Sequence, residues 1–230
     1  MAKQQKNSVA KKDNFTRNLV IGMIALVAIV GVGFSIASNK TNNLASSPSI
    51  ASKTDGYGIT FNTSATPRID LYEDFQCPIC QAFESLNNSY INQLARSGKA
   101  KVVFHPMTFI GPESILAANM AACAADEGRF LEAHSALYAN QPAHENSGTI
   151  TNDYLILLGS SVGLTDNKFK TCVTNGNYVN WTKNIEADAS SKNVNATPTV
   201  FVNGKEIDRK TQYMDSTAFK KALSDAGIHL

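Results

Sequence analysis

The sequence predicts an α/β domain with an inserted helical subdomain, preceded by one N-terminal transmembrane helix. Three observations carry that prediction. An uncharged apolar run covers Leu19 to Ile36, a strand–helix–strand pattern sets Cys77 and Cys80 at a helix start, and a short hairpin with a closing helix ends the chain. A length of 230 residues with 43% hydrophobic composition is enough to bury one core, so a single folded domain is expected behind the apolar run.

The N-terminal segment is read from length and charge. The 18 residues Leu19–Ile36 carry no charge, which meets the length of about 18 at which a membrane span becomes the preferred reading. Lys3, Lys6, Lys11, Lys12 and Arg17 precede the run and Lys40 alone follows closely. The positive-inside rule therefore leaves the N-terminus in the cytoplasm and sends the rest of the chain out. The expected organisation is a basic leader over 1–18, an anchor over 19–37, a flexible linker over 38–56 and a folded domain over 57–230. That makes a single-pass protein of the cell membrane with an extracytoplasmic domain. A cleaved signal peptide is the competing reading, because Ser35-Ile36-Ala37 offers small residues at the positions a signal peptidase reads. The net charge of +2 divides into six Lys/Arg against one Asp in residues 1–40 and fifteen against eighteen acids afterwards. A mildly acidic body without a basic cluster excludes nucleic acid as a partner, since that binding rests on neutralising phosphates.

The linker, NKTNNLASSPSIASKT, is rich in Ser, Asn and Thr and has little to bury. Arg68–Tyr72 reads as a strand, Glu73–Gln76 as a turn, and Pro78 onward as a helix with Phe83 and Leu86 inward and a break at Ser97-Gly98. Lys101–His105 is the next strand, and the span is that of a βαβ unit with parallel neighbours. From about residue 112 to about 190 the pattern is helical, with Ile115, Met120, Phe130, Ala133, Leu137, Tyr154, Leu157, Phe169 and Val173 at three- and four-residue steps. Thr199–Val202, Asn203-Gly204 and Lys205–Ile207 form a hairpin on the dipeptide that best supports a tight turn, and a helix over about 216–226 closes the domain. This is the order of a thioredoxin-like fold interrupted after its second strand.

The chemistry sits at Cys77-Pro78-Ile79-Cys80. Thiol–disulfide exchange needs two sulfurs able to close a ring, one of them ionised, because the thiolate attacks. At a helix start the first sulfur meets unpaired N–H groups and the positive end of the helix dipole. Cys77 is thus the expected nucleophile and Cys80 the resolving thiol, with Pro78 at the helix position where a missing N–H costs nothing. A zinc site would need a second Cys/His pair, whereas Cys123 and Cys172 are 49 residues apart and His134 and His144 flank no cysteine pair. No metal and no cofactor are expected. An inert Cys77–Cys80 bridge is the bland alternative, although so small a loop removes little chain entropy. Four cysteines allow three pairings. Cys77 with Cys80 and Cys123 with Cys172 is the favoured one, the second as a structural disulfide between two inserted helices; a second redox pair and free core thiols are the alternatives. His105, Trp181 and the aromatic positions are read as packing.

The segment Tyr72-Glu73-Asp74-Phe75-Gln76-Cys77-Pro78-Ile79-Cys80 resembles the active-site segment of DsbA-like thioredoxin-fold proteins. Ala117-Ala118, Cys123 to Phe130, His134 and Leu137-Tyr138 resemble that family's first inserted helices, and Ala196 to Gly204 its cis-proline loop and hairpin. The resemblance implies that Thr197-Pro198 faces the cysteine pair with a cis peptide bond and that Thr197 backbone groups bind an extended substrate segment. The chain departs from many members by having Pro78 and Ile79, with no histidine, between the cysteines, and Leu71 where a buried acid is common. Asp70, Glu73 and Asp74 stand nearby and are read as solvated turn charges, with a proton acceptor for Cys80 as the alternative.

The function expected is an extracytoplasmic protein disulfide oxidoreductase, acting as a monomer on exported proteins with free cysteines. The family implies recycling by a quinone-linked membrane oxidase. A tethered disulfide reductase or isomerase, and a non-catalytic module holding extended peptides at Pro198, are the rival readings.

Overall fold

The structure is a computed structural model and describes residues 46–230. The leader, the anchor and the start of the linker lie outside the described residues. Among the described residues no helix is long and apolar enough to cross a membrane.

A five-stranded mixed sheet in the order β1-β3-β2-β4-β5 forms the centre. Its strands are β1 (Ile59–Phe61), β2 (Arg68–Asp74), β3 (Lys101–Met107), β4 (Thr199–Val202) and β5 (Lys205–Glu206). β2 and β3 run parallel, with Arg68 opposite Lys101 and Asp74 opposite Met107. β4 lies antiparallel on the other side of β2, Leu71 facing Val200. Every residue of β2 after Arg68 is buried, the pattern of a strand covered on both faces. The expected turn at Glu73–Gln76 is corrected here: the strand continues through Glu73 and Asp74, so these two acids are buried backbone-paired residues and not solvated turn charges. Asp70 is buried as well, paired with His105 at 2.8 Å and with Arg68 at 2.6 Å.

Helix α1 (Pro78–Ser97) starts on Pro78 and ends where Gly98 takes φ 76°, at the predicted break. Phe83, Asn87, Ile91 and Leu94 form its buried face. Leu86 lies off that stripe and is 45% exposed, contrary to the expected inward placement. The insertion consists of α2 (Pro112–Asp126), α3 (Phe130–Ala139), α4 (Asn152–Ser161), α5 (Asn167–Asn175) and α6 (Trp181–Ser191). Leu157 points outward at 72% exposure, because Leu155, Leu158 and Gly159 take the inner face of α4. Cys123 on α2 and Cys172 on α5 are disulfide-bonded, with Cα atoms 5.9 Å apart. His105 and Trp181 are buried packing residues as expected.

The hairpin turns through Asn203 at φ 51° and Gly204 at φ 79°, the paired left-handed conformations that an Asn-Gly turn accepts with least strain. The closing helix α7 (Ser216–Asp225) is capped by Asp215, whose side chain accepts from the N–H groups of Thr217 and Ala218. The last residues of the expected linker are packed on the domain. Ala51 bridges to Ile59, Ser49 N donates to Asp126 at 2.8 Å, and buried Asp55 pairs with Arg68 at 2.7 Å and Lys101 at 2.6 Å. Two cations at the starts of the neighbouring strands β2 and β3 give this polar segment a reason to dock that its composition does not display.

Candidate active site

β2 delivers its chain to the start of α1, and Cys77 occupies the N-cap position there, with φ −73° and ψ 118°. Its side chain makes no capping bond to the helix, so the sulfur is left at the open N–H end. Cys77 is 8% exposed, Cys80 is fully buried, and both are free thiols. Ile79 between them is 55% exposed.

The environment separates the two thiols. A hydrogen bond from Cys80 is the largest influence on Cys77; with the N–H groups of Cys80 and Ile79 it overcomes the opposing effect of burial and brings the Cys77 pKa down to about 6. Burial acts first on Cys80 and holds its pKa well above the usual thiol range, and the nearby charges of Glu73 and Cys77 add to this. One sulfur is therefore a thiolate near neutral pH and the other a thiol.

Thr197-Pro198 is a cis peptide, and the Cys77 thiol donates to the Thr197 carbonyl oxygen at 3.6 Å. The residues expected from sequence to meet across the fold, Cys77, Cys80, Thr197 and Pro198, are thus brought together, whereas Cys123 and Cys172 form a separate bridge within the insertion.

Beneath the cysteines lies a group the sequence did not bring together. Glu73 of β2, Glu84 of α1 and His134 of α3 are all buried and place ligand atoms within 4.8 Å of one another. His134 Nε2 is 3.4 Å from Glu73 and Nδ1 is 3.7 Å from Glu84. Phe75, Phe104, Phe130 and Tyr138 surround the imidazole with aromatic rings. Burial raises both carboxyls to about 8, and the like charge of each neighbouring group reinforces it; for Glu73 that neighbour is Cys77, and for Glu84 it is Glu73. Burial lowers His134. The signal available in the sequence was spacing alone: Glu84 and Cys80 lie one helical turn apart on α1, while His134 arrives from a helix far along the chain.

Asp74 has a different task. Its Oδ1 accepts from Ser114 at 2.6 Å and from the Gln76 N–H at 2.9 Å, and its Oδ2 accepts from the Ile110 N–H at 3.0 Å. It ties the cysteine turn to α2 and the loop before it. Asp70 belongs to the opposite end of β2: burial alone would raise it, but bonds from Arg68 and His105 bring it down to about 2.

Residues 58–224 match the family described as Thioredoxin. Among solved structures, the chain is similar to the oxidised DsbA of Mycobacterium tuberculosis at 28% identity and a TM-score of 0.61, over 74% of this chain and 93% of that one. It is similar to a disulfide bond oxidoreductase, DsbG, of the same organism at 27% identity and TM-score 0.62, over 75% and 88%. MdbA, a thiol-disulfide oxidoreductase from Actinomyces oris, shares the fold at 23% identity and TM-score 0.66, over 79% and 94%. No curated protein matches the chain.

Proposed function

Because the chain belongs to the thioredoxin family, we propose that it is a DsbA-type protein disulfide oxidoreductase that introduces disulfide bonds into exported proteins through Cys77 and Cys80. The observation that carries this reading is the asymmetry of the pair: a depressed thiol at a helix start beside a buried thiol whose pKa is raised.

In the oxidised enzyme a substrate thiolate attacks Cys77 Sγ, the more accessible sulfur. The Cys77–Cys80 bond breaks, a substrate–Cys77 bond forms, and Cys80 leaves with the electron pair. Its raised pKa makes it take a proton at once, and Glu73, a buried carboxyl protonated up to about pH 8 whose charge acts on Cys80, is the proposed donor. A second substrate thiolate then attacks the substrate sulfur of the mixed disulfide and expels Cys77 as a thiolate. The substrate loses two electrons and the enzyme gains them. A leaving thiol with a low pKa departs readily, and stabilising that thiolate stabilises the reduced enzyme, which makes the disulfide form oxidising. Thr197, whose carbonyl oxygen lies 3.6 Å from Cys77 Sγ, is the backbone proposed to bind an extended substrate segment there.

Residues 19–37 are proposed as the membrane anchor, with the catalytic domain outside and a quinone-linked membrane oxidase returning Cys77 and Cys80 to the disulfide. The experiment that tests the reading is the reduction potential of the Cys77–Cys80 couple against defined glutathione ratios, alongside oxidative refolding of a reduced client. A potential near the roughly −120 mV of a strong disulfide donor agrees with it. A potential near roughly −270 mV assigns the reductase direction instead. A pair that never exchanges leaves a peptide-binding module.

A further inference from the structure

The turn that carries Cys77 has an unusual support problem. Pro78 has no N–H to give, and the Cys77 side chain caps nothing. Within the turn, Cys77 N donates to Asp74 O at 3.0 Å and Gln76 N to Asp74 Oδ1 at 2.9 Å, which settles the donors but leaves the carbonyls of Phe75 and Cys77 facing the insertion.

Both carbonyls are met by one atom. Gln141 Nε2 donates to Phe75 O at 2.9 Å and to Cys77 O at 3.1 Å. An amide nitrogen carries two hydrogens, so each is committed to one of the two carbonyls that flank Gln76. Cys77 O also accepts the first helical bond, from Gln81 N at 3.0 Å, so both of its lone pairs are engaged.

The side chain that does this is itself fixed. Gln141 lies just past Asn140, the residue that ends α3, and Pro142 after it restricts its backbone to extended conformations. Asn140, one residue earlier, accepts from the Tyr154 hydroxyl of α4 at 2.6 Å. A few residues on, Asn146 N donates to Gln76 Oε1 at 2.7 Å, while Gln76 Nε2 donates to Ser114 Oγ at 2.9 Å and to Asn146 Oδ1 at 3.2 Å. The loop after α3 is thereby laid along the turn from Phe75 to Cys77.

We infer that Gln141 is a positioning residue for the redox pair: its single amide nitrogen clamps the Phe75–Gln76 and Cys77–Pro78 peptide planes and so holds Cys77 Sγ at the open N–H end of α1. This deepens the oxidoreductase reading and rests on it, because the inserted helices then take part in setting the chemistry of a sulfur that belongs to the core domain. With the clamp removed, the two planes can rotate, and the sulfur spends less time at the positive end of the α1 dipole.

The test is Gln141→Met, which keeps the length and unbranched shape of a half-buried side chain and removes both donors. Reduced full-length protein is titrated by thiolate absorbance at 240 nm, and Cys77 alkylation by iodoacetamide is followed at pH 6 relative to pH 9. A rise of one unit in the Cys77 midpoint, with about fivefold less thiolate at pH 6, is the expected result. The melting temperature should stay close to wild type. A Cys77 midpoint and alkylation ratio equal to wild type would overturn the inference, whatever happens to the melting temperature, since a merely structural bond lowers stability and leaves the titration alone. Should the Met variant fail to fold, Gln141→Asn, whose amide is one methylene short of spanning both carbonyls, is read in the same way. Exchange of the wild-type protein with oxidised glutathione is measured in parallel. If wild type does not exchange, the oxidoreductase reading falls, while the titration still decides the role of Gln141.

Discussion

Cys77 and Cys80 stand one helical turn apart, and their surroundings drive them in opposite directions. The pH profile of alkylation should show a single reactive thiol with a midpoint near 6, and Cys80 should remain unmodified in the folded protein below its usual thiol range; mass spectrometry of the alkylated peptides checks both. Glu73 and Glu84 carry a signed consequence for stability. A free Glu ionises at 4.5, whereas these two hold their protons to about 8 in the folded state. Between those values the unfolded chain binds fewer protons, so their contribution to stability is fully present below pH 4.5 and lost as pH rises toward 8. The double variant Glu73→Gln, Glu84→Gln lacks this loss. Its stability relative to wild type, from urea midpoints, should increase between pH 4.5 and 8 by on the order of a few kcal/mol; a constant difference would show that the carboxyls are ionised throughout. At this scale the sequence was legible where function is local. Cys77, Pro78 and Cys80 announce themselves by spacing, and Pro198 by resemblance. The acids were misread because Glu73-Asp74-Phe75-Gln76, three polar residues of four just before a helix, looks like a turn, and only the pairing of β2 with β3 shows that Glu73 and Asp74 lie inside.

Between elements, the insertion is held by one covalent tie and by close helix contacts. Replacing both Cys123 and Cys172 by Ala should cost about 2–4 kcal/mol in chemical unfolding and leave exchange at Cys77 unchanged, because the bridge joins α2 to α5 and does not touch the turn that carries Cys77. Gly159 of α4 meets the ring of Phe169 so closely that an added Cβ would lie 2.4 Å from it. Gly159→Ala should therefore destabilise the protein by about 1–3 kcal/mol through overpacking, measurable as a lower unfolding midpoint. The βα unit, the hairpin and the closing helix each carry a boundary signal: Gly98 ends α1, Asn203-Gly204 makes the hairpin turn and Asp215 caps the start of α7. The choice of Leu155 and Leu158 over Leu157 for the inner face was not readable, since an almost uniformly apolar stretch such as Leu155-Ile156-Leu157-Leu158 offers no contrast between faces. Strand β1 was missed for another reason: three residues after a polar linker are too few to show alternation.

Across the whole molecule, the proposed placement of the domain rests on the lysines and the apolar run of residues 1–40. Protease added to intact cells should digest the domain and spare a tag placed before Lys3; protection of the domain would overturn the proposed topology. One feature of the body acquires a meaning from that setting. The bridge between Cys123 and Cys172 spans 49 residues and has to be oxidised after the chain leaves the ribosome. Under the proposed topology, a newly made copy would reach the outside with four thiols and would itself be a client of disulfide formation. Mature copies already present are the natural donors to it, so the first molecules a cell makes would depend on another oxidant, and the population thereafter would sustain its own maturation.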